Sequence, residues 1–202
     1  MSTAPQKRRT SLKEYLEWEE RSGTRHEFYQ GEIFAMAGAS PRHNRIAGNI
    51  FARLHQLLEG TKCEPFASDQ RIRIEPVDLS TYPDVSVVCD GLELSANDAR
   101  AITNPRVIVE VLSKTTENYD RGPKFELYQH LDSLQEYLLV SQEDARVTQY
   151  VRNDDGTWRY KLVVGLEVTL DIESINCRLP LAVIYRNVEF GPEETPPATA
   201  AN

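Results

Sequence analysis

The chain lacks long hydrophobic runs: no stretch approaches the roughly 20 apolar residues that a membrane-spanning helix needs, which excludes such a span. Its opening MSTAPQKRRT is followed by SLKEYLEWEE rather than an apolar segment, so no secretory signal is indicated and the cytoplasm is the expected location. Cysteine is scarce. Cys63, Cys89 and Cys177 are odd in number and widely spaced, with no CxxC pair, which supports neither a disulfide framework nor a zinc site; reduced, mostly buried thiols are expected. No GxGxxG or GxxxxGK[ST] loop is present to cradle a nucleotide, no GxSxG elbow to hold a serine nucleophile, and no HExxH among 4 histidines. Basic charge is also short: 23 Lys and Arg against 31 Asp and Glu give a net charge of -8, whereas strong non-specific DNA binders usually carry a basic face. An acidic metal-binding cluster is itself part of such a balance, because bound cations offset it.

What is present is an ordinary globular composition, 40% apolar and 27% charged, over 202 residues, enough for one substantial core. The tail GPEETPPATAAN has too little apolar surface to order itself, so residues 191–202 and the first ten read as flexible ends around a single domain at 11–190. Ser11 can cap a short helix through Trp18. RHEFYQGEIFAM places a Gln-Gly turn between two strand-like runs, a hairpin signal. Ser40 and Pro41 suit the start of a helix carrying Ile46, Ile50, Leu54, Leu57 and Leu58 at helical spacing, and Gly60 stops it.

In FASDQRIRI the period changes, with Ile72 and Ile74 alternating with Arg71 and Arg73 as in a strand with one wet face. VSVVC and RVIVEVL are nearly continuous β-branched runs, the pattern of central strands covered on both faces. GPKFELYQHLDSL reads as a helix and EYLLVS as a further inner strand, after which short strands joined by Asn-Asp-Asp-Gly and Gly extend the sheet in antiparallel fashion. The interleaving predicts an α/β (α+β) fold, a mixed central sheet flanked by helices.

Three residues fit a bland core poorly. Glu110 lies inside Val107–Leu112, and burying an unpaired carboxylate costs several kcal/mol, so it needs a cation; a strand-end glutamate turned to water or to an arginine is the alternative. Asp84 follows Pro83 and opens the VSVVC strand, which taken alone is also ordinary turn chemistry. Two adjacent strands with one carboxylate each would bring hard oxygens to one point, as magnesium or manganese requires. Lys124 falls on the stripe of Leu127, Tyr128 and Leu131, which aims its ammonium toward the sheet unless it snorkels to the helix edge. Glu27 and His43 are further cleft candidates, with a surface ion pair to Arg25 and a satisfied core histidine as their alternatives. Tyr128 reads chiefly as packing, and Asp120 and Arg121 as a helix cap and a solvated charge.

SLKEYLEWEE, RHEFYQGEIFAMAGASPRHNRIAGNI, TYPDVSVVCD, VIVEVLSKTTENYDRGPKFELY and EYLLVS, in this order, resemble the Uma family of restriction endonucleases, within the PD-(D/E)XK nuclease superfamily, over about residues 11–190. The resemblance implies a restriction-endonuclease-like fold and Mg²⁺-dependent (or Mn²⁺-dependent) cleavage of DNA. It places the PD aspartate on Asp84 and the strand acid on Glu110. The simple motif has lysine two residues after that acid, where this chain has Leu112; the family resembled sets the lysine on the next helix, at Lys124. Glu27 and His43 match recurrent family positions. The expected site is therefore Asp84, Glu110 and the Val111 carbonyl holding metal, with Lys124 beside them. A homodimer is consistent with cutting both strands, and the rival reading is a non-catalytic binding or assembly module that keeps the fold.

Overall fold

Capping chemistry starts the first helix. In the computed structural model, which describes residues 9–36 and 38–191, the Ser11 hydroxyl accepts the Glu14 N–H while the Glu14 carboxylate takes the Ser11 N–H, opening α1 (Leu12–Glu19) with a reciprocal box. Residues 1–8 and 192–202, most of the ends expected to be flexible, lie outside the described residues. Gln30 and Gly31, with φ of 48° and 85°, make the tight turn that joins β1 (His26–Tyr29) to β2 (Glu32–Ala35) as an antiparallel hairpin. In α2 (Pro41–Leu58), Ser40 caps the His43 N–H, and Ile46, Ile50, Leu54 and Leu58 form the buried stripe.

The strands β3 (Cys63–Ala67), β4 (Arg71–Ile74), β5 (Leu79–Thr81), β6 (Val85–Cys89), β7 (Leu94–Ser95), β8 (Asp98–Ile102) and β9 (Pro105–Val111) follow. Two short helices, α3 (Glu117–Arg121) and α4 (Pro123–Tyr128), meet at Gly122. The chain then runs through β10 (Glu136–Val140), β11 (Arg146–Arg152), β12 (Trp158–Val164), β13 (Thr169–Ile172), β14 (Cys177–Pro180) and a last turn, α5 (Leu181–Ile184).

The central sheet has the order β12-β11-β10-β9-β6-β3, parallel between β9 and β10 and antiparallel elsewhere. One face, with Val85, Val87, Val107 and Val109, packs against the α2 stripe; the other, with Val88, Ile108 and Leu139, packs against Phe125, Tyr128 and Leu131. Both faces of β6 and β9 are thus dry, which is why their sequences are continuously apolar. A second sheet, β2-β1-β5-β4-β8-β7, holds the hairpin, and β13 pairs with β14 alone. The expected mixed sheet with flanking helices is present. No helix among the described residues is long and apolar enough to cross a membrane.

Three local expectations are corrected. β4 has no wet face: Arg71 and Arg73 are buried because Arg71 grips Asp98 through two nitrogens, at 2.6 and 3.0 Å, and Arg73 is held by Asp78. The helix read across GPKFELYQHLDSL is shorter, ending at Tyr128, and the turn before it is already helical, so that Asp120 belongs to α3. Cys63 and Cys89 stand opposite one another on β3 and β6, with Cα atoms 4.0 Å apart, and are joined by a disulfide; only Cys177 is the buried free thiol expected of all three.

Candidate active site

Antiparallel register brings the first two acids together. Val85 is paired with Val109, so Asp84, one step before, and Glu110, one step beyond, reach neighbouring positions at the ends of β6 and β9, Glu110 turned toward α4 and Asp84 toward the Val111 N–H and His43 of α2. Asp84 is fixed in place because its Oδ2 accepts the Val111 N–H at 2.7 Å. Glu110 is 5% exposed, and Tyr128 donates its hydroxyl to Glu110 Oε1 at 2.7 Å. Burial pushes the Glu110 carboxyl above the usual carboxylate range, and the Lys124 ammonium pulls it back.

Pro123 opens α4, which sets Lys124 in the first turn and directs it back over the sheet. Its Nζ lies 2.9 Å from Glu110 Oε1, 3.2 Å from Glu27 Oε1 and 3.5 Å from Asp120 Oδ1, with all four side chains buried. Burial alone would lower the ammonium's pKa, but the surrounding oxygens outweigh it and hold Lys124 well above its ordinary value. Glu27 arrives from β1 of the second sheet, where Thr81 donates its hydroxyl to Oε1 and Tyr119 donates to Oε2 at 3.4 Å. Asp120 is raised by burial, against the opposing pull of Lys124.

His43, one turn into α2, places Nε2 3.2 Å from Asp84 Oδ2. Burial lowers its pKa, but Asp84 and the neighbouring Val111 carbonyl raise it further, so the net shift is upward. Its Nδ1 is buried with no hydrogen-bond partner among the described residues.

The structure therefore gathers Asp84, Glu110, Lys124, Glu27 and His43 around one cleft of about 1440 Å³, which Val111 also lines; Tyr128, expected as a further cleft residue, does not line it but stands fully buried behind Glu110. Glu27 makes no pair with Arg25, whose guanidinium instead meets Asp69 at 2.6 Å. Tyr128 packs and also donates to Glu110, so it does more than fill space. Asp120 is the site residue that sequence reasoning placed wrongly, as a cap. Its i,i+4 spacing to Lys124 was the available signal, hidden by the Gly122-Pro123 break in the helical pattern.

Among the described residues no three His, Cys, Asp or Glu side chains are already drawn together as a metal cluster. The reason is visible in the contacts: Lys124 sits among Glu27, Glu110 and Asp120, where it partly neutralises them. The donor chemistry nonetheless suits a hard divalent cation. Three carboxylates surround one lysine, with Asp84 on the neighbouring strand, and the close contacts engage Asp84 Oδ2 and Glu110 Oε1, so each of these two acids has a second oxygen to offer.

A family model described as "Uma2: Putative restriction endonuclease" matches residues 12–183. Two uncharacterised proteins of Synechocystis sp. are similar to the chain. One is 41% identical over 182 residues, covering 89% of this chain and 93% of the relative; the other is 38% identical over 152 residues, covering 75% and 86%. A crystal structure described as "a putative nuclease belonging to DUF820 from Anabaena variabilis ATCC 29413" superposes with a TM-score of 0.70 at 16% identity, covering 86% of this chain and 96% of that one. At that identity the likeness carries the fold.

Proposed function

Because the chain belongs to the Uma2 family, we propose that it is a cytoplasmic, metal-dependent endonuclease that hydrolyses DNA phosphodiester bonds. The observation that carries this reading is the pair Asp84 and Glu110 at adjoining ends of neighbouring strands, with Lys124 Nζ 2.9 Å from Glu110. Asp84, Glu110 and the Val111 carbonyl would hold one or two Mg²⁺ or Mn²⁺ ions. When bound, such an ion supplies Lewis acidity toward the scissile phosphate and a lowered pKa for the attacking water.

Lys124 donates to that water or to the phosphate oxygens, offsetting the negative charge that grows as the bond is cleaved. Glu27, Asp120 and Tyr128 hold Lys124 and Glu110 in place, so the ammonium is aimed before substrate arrives. His43 orients Asp84 through the contact to Oδ2. Cutting both strands of a duplex calls for two such sites, so a pair of chains is part of the proposal.

Supercoiled plasmid incubated with the protein and Mg²⁺ or Mn²⁺ tests the reading. The expected result is nicking and linearisation by the wild type, and loss of both in Asp84→Ala and Lys124→Ala. Equal cleavage by all three proteins would remove these residues from the mechanism. The net charge of -8 favours the rival reading of a non-catalytic module; calorimetry that finds no affinity for Mg²⁺ would support it, and metal-dependent nicking would eliminate it.

A further inference from the structure

The last strand of the central sheet, β12, has one edge that no strand among the described residues pairs with. In the β11–β12 ladder the bonds Asn153 to Thr157 and Gly165 to Ala145 fix the odd-numbered residues of β12 as those bonded to β11. Alternation then turns the backbone N–H and C=O groups of Trp158, Tyr160, Leu162 and Val164 outward, and no partner strand meets them among the described residues. Such an edge templates pairing unless charge, proline or a bulge blunts it. Here the outward-bonding residues are instead the apolar ones. Tyr160 is 57% exposed, Leu162 49% and Val164 48%, a contiguous stripe along one face of the strand.

We infer that this edge pairs with the same edge of a second copy of the chain, antiparallel about a twofold axis through Leu162. The register follows from charge. Centring the pair on Lys161 would oppose two lysines, and centring it on Tyr160 would oppose Arg159 to Lys161, both destabilising. Centring it on Leu162 sets Leu162 against Leu162 and Tyr160 against Val164, and turns Lys161 toward Val163 and Arg159 toward Gly165. Both cations are already held by Glu173, at 2.5 and 3.2 Å, on the opposite face. Every free ladder group between Tyr160 and Val164 is satisfied, and the stripe covers itself.

A twofold axis perpendicular to the sheet keeps both copies of the face that bears Glu110 on the same side. With strands about 4.8 Å apart, the two β9 strands lie about 34 Å from each other before twist shortens the span. One turn of B-DNA is about 34 to 36 Å. This last consequence rests on the nuclease reading; the pairing does not.

Sedimentation of the full chain across a range of concentrations tests it. The wild type should approach twice the chain mass, and Leu162→Lys, a change on an exposed position, should halve that mass while keeping the far-ultraviolet circular dichroism of the folded chain and losing the concentration dependence of the unfolding midpoint. Leu162→Cys should close an intermolecular disulfide under mild oxidation, since directly bonded antiparallel residues lie about 5.5 Å apart at Cα, within disulfide reach. Arg159→Cys, opposed by glycine, should not. A wild type that stays monomeric, with the stripe bare or covered by its own chain, overturns the inference, as does a dimer that survives Leu162→Lys or crosslinks equally through residue 159. A monomer that still nicks plasmid would sink the interface alone, and a dimer that never cleaves would sink the nuclease reading alone.

Discussion

Lys124 Nζ stands 2.9 Å from Glu110 Oε1, an ammonium and a carboxylate that meet with almost no solvent between them and the rest of the core. Removing one partner from such a pair leaves the other charge buried and alone. Lys124→Ala should therefore lower the unfolding free energy by about 3–5 kcal/mol, read by urea denaturation without metal. Glu110→Gln placed in that background should restore part of the loss. Strictly additive effects in the double-mutant cycle would show that the two groups do not sense each other.

Asp84 separates fold from chemistry. An asparagine there keeps an oxygen for the Val111 N–H but loses the charge that would hold a cation. The unfolding free energy of Asp84→Asn should fall by no more than about 1 kcal/mol, the usual size of one altered hydrogen bond. Saturating Mg²⁺, at about 100 times its dissociation constant, should stabilise the wild type by about 2.7 kcal/mol and leave Asp84→Asn unmoved. Chelation by EDTA should abolish cleavage and that stabilisation together. Cleavage undiminished by EDTA would end the case for a metal.

Away from the site, Glu136 is fully buried, takes the Ser174 N–H at 2.7 Å and is bonded by Gln149. Burial raises its pKa despite those bonds. A raised folded value means that the native state holds the proton more tightly than the unfolded chain. The favourable contribution is complete below the unfolded value, about 4.3, and is lost as pH climbs through the folded one. Wild type should thus lose stability relative to Glu136→Gln as pH rises above about 4.3, in denaturant titrations at each pH. A difference that stays flat with pH would contradict this.

The bond between Cys63 and Cys89 closes a loop of 26 residues between an edge strand and its neighbour. Reduction, or Cys63→Ser, should lower the unfolding free energy by about 2–4 kcal/mol, the range that loop-closure entropy gives for such a span. Mass spectrometry after alkylation would count the free thiols, and three modified cysteines in untreated protein would place the bond in doubt.

How much of this was legible in the sequence differs by residue. Glu110 and Lys124 announced themselves because a charge in an apolar strand and a charge on an apolar stripe each violate a local period, and period is a local property. Glu27 could only be a candidate, since its position beside Lys124 depends on how β1 in one sheet lies against α4 over the other. Asp120 was misplaced because Gly122 and Pro123 look like a boundary, and the helix before them is too short to show a period of its own. Arg71 and Arg73 looked solvated because alternation reports the two faces of a strand without saying what covers each. The partners that make burial tolerable are Asp98, distant along the chain, and Asp78, which the turn after β4 folds back onto Arg73. Cys63 and Cys89 became neighbours only through strand register, which spacing along the chain does not reveal.

Lys124 reaches from a helix over the central sheet to an acid in that sheet and to another in the hairpin sheet, and so it fastens two layers at the point where substrate would enter. Any motion that spread those layers would strip the ammonium of Glu27 before it loosened Glu110. Widening the mouth to admit a bulky polymer and keeping the lysine aimed are opposed demands on one side chain, and the phosphate of an incoming strand is the anion suited to take Glu27's place.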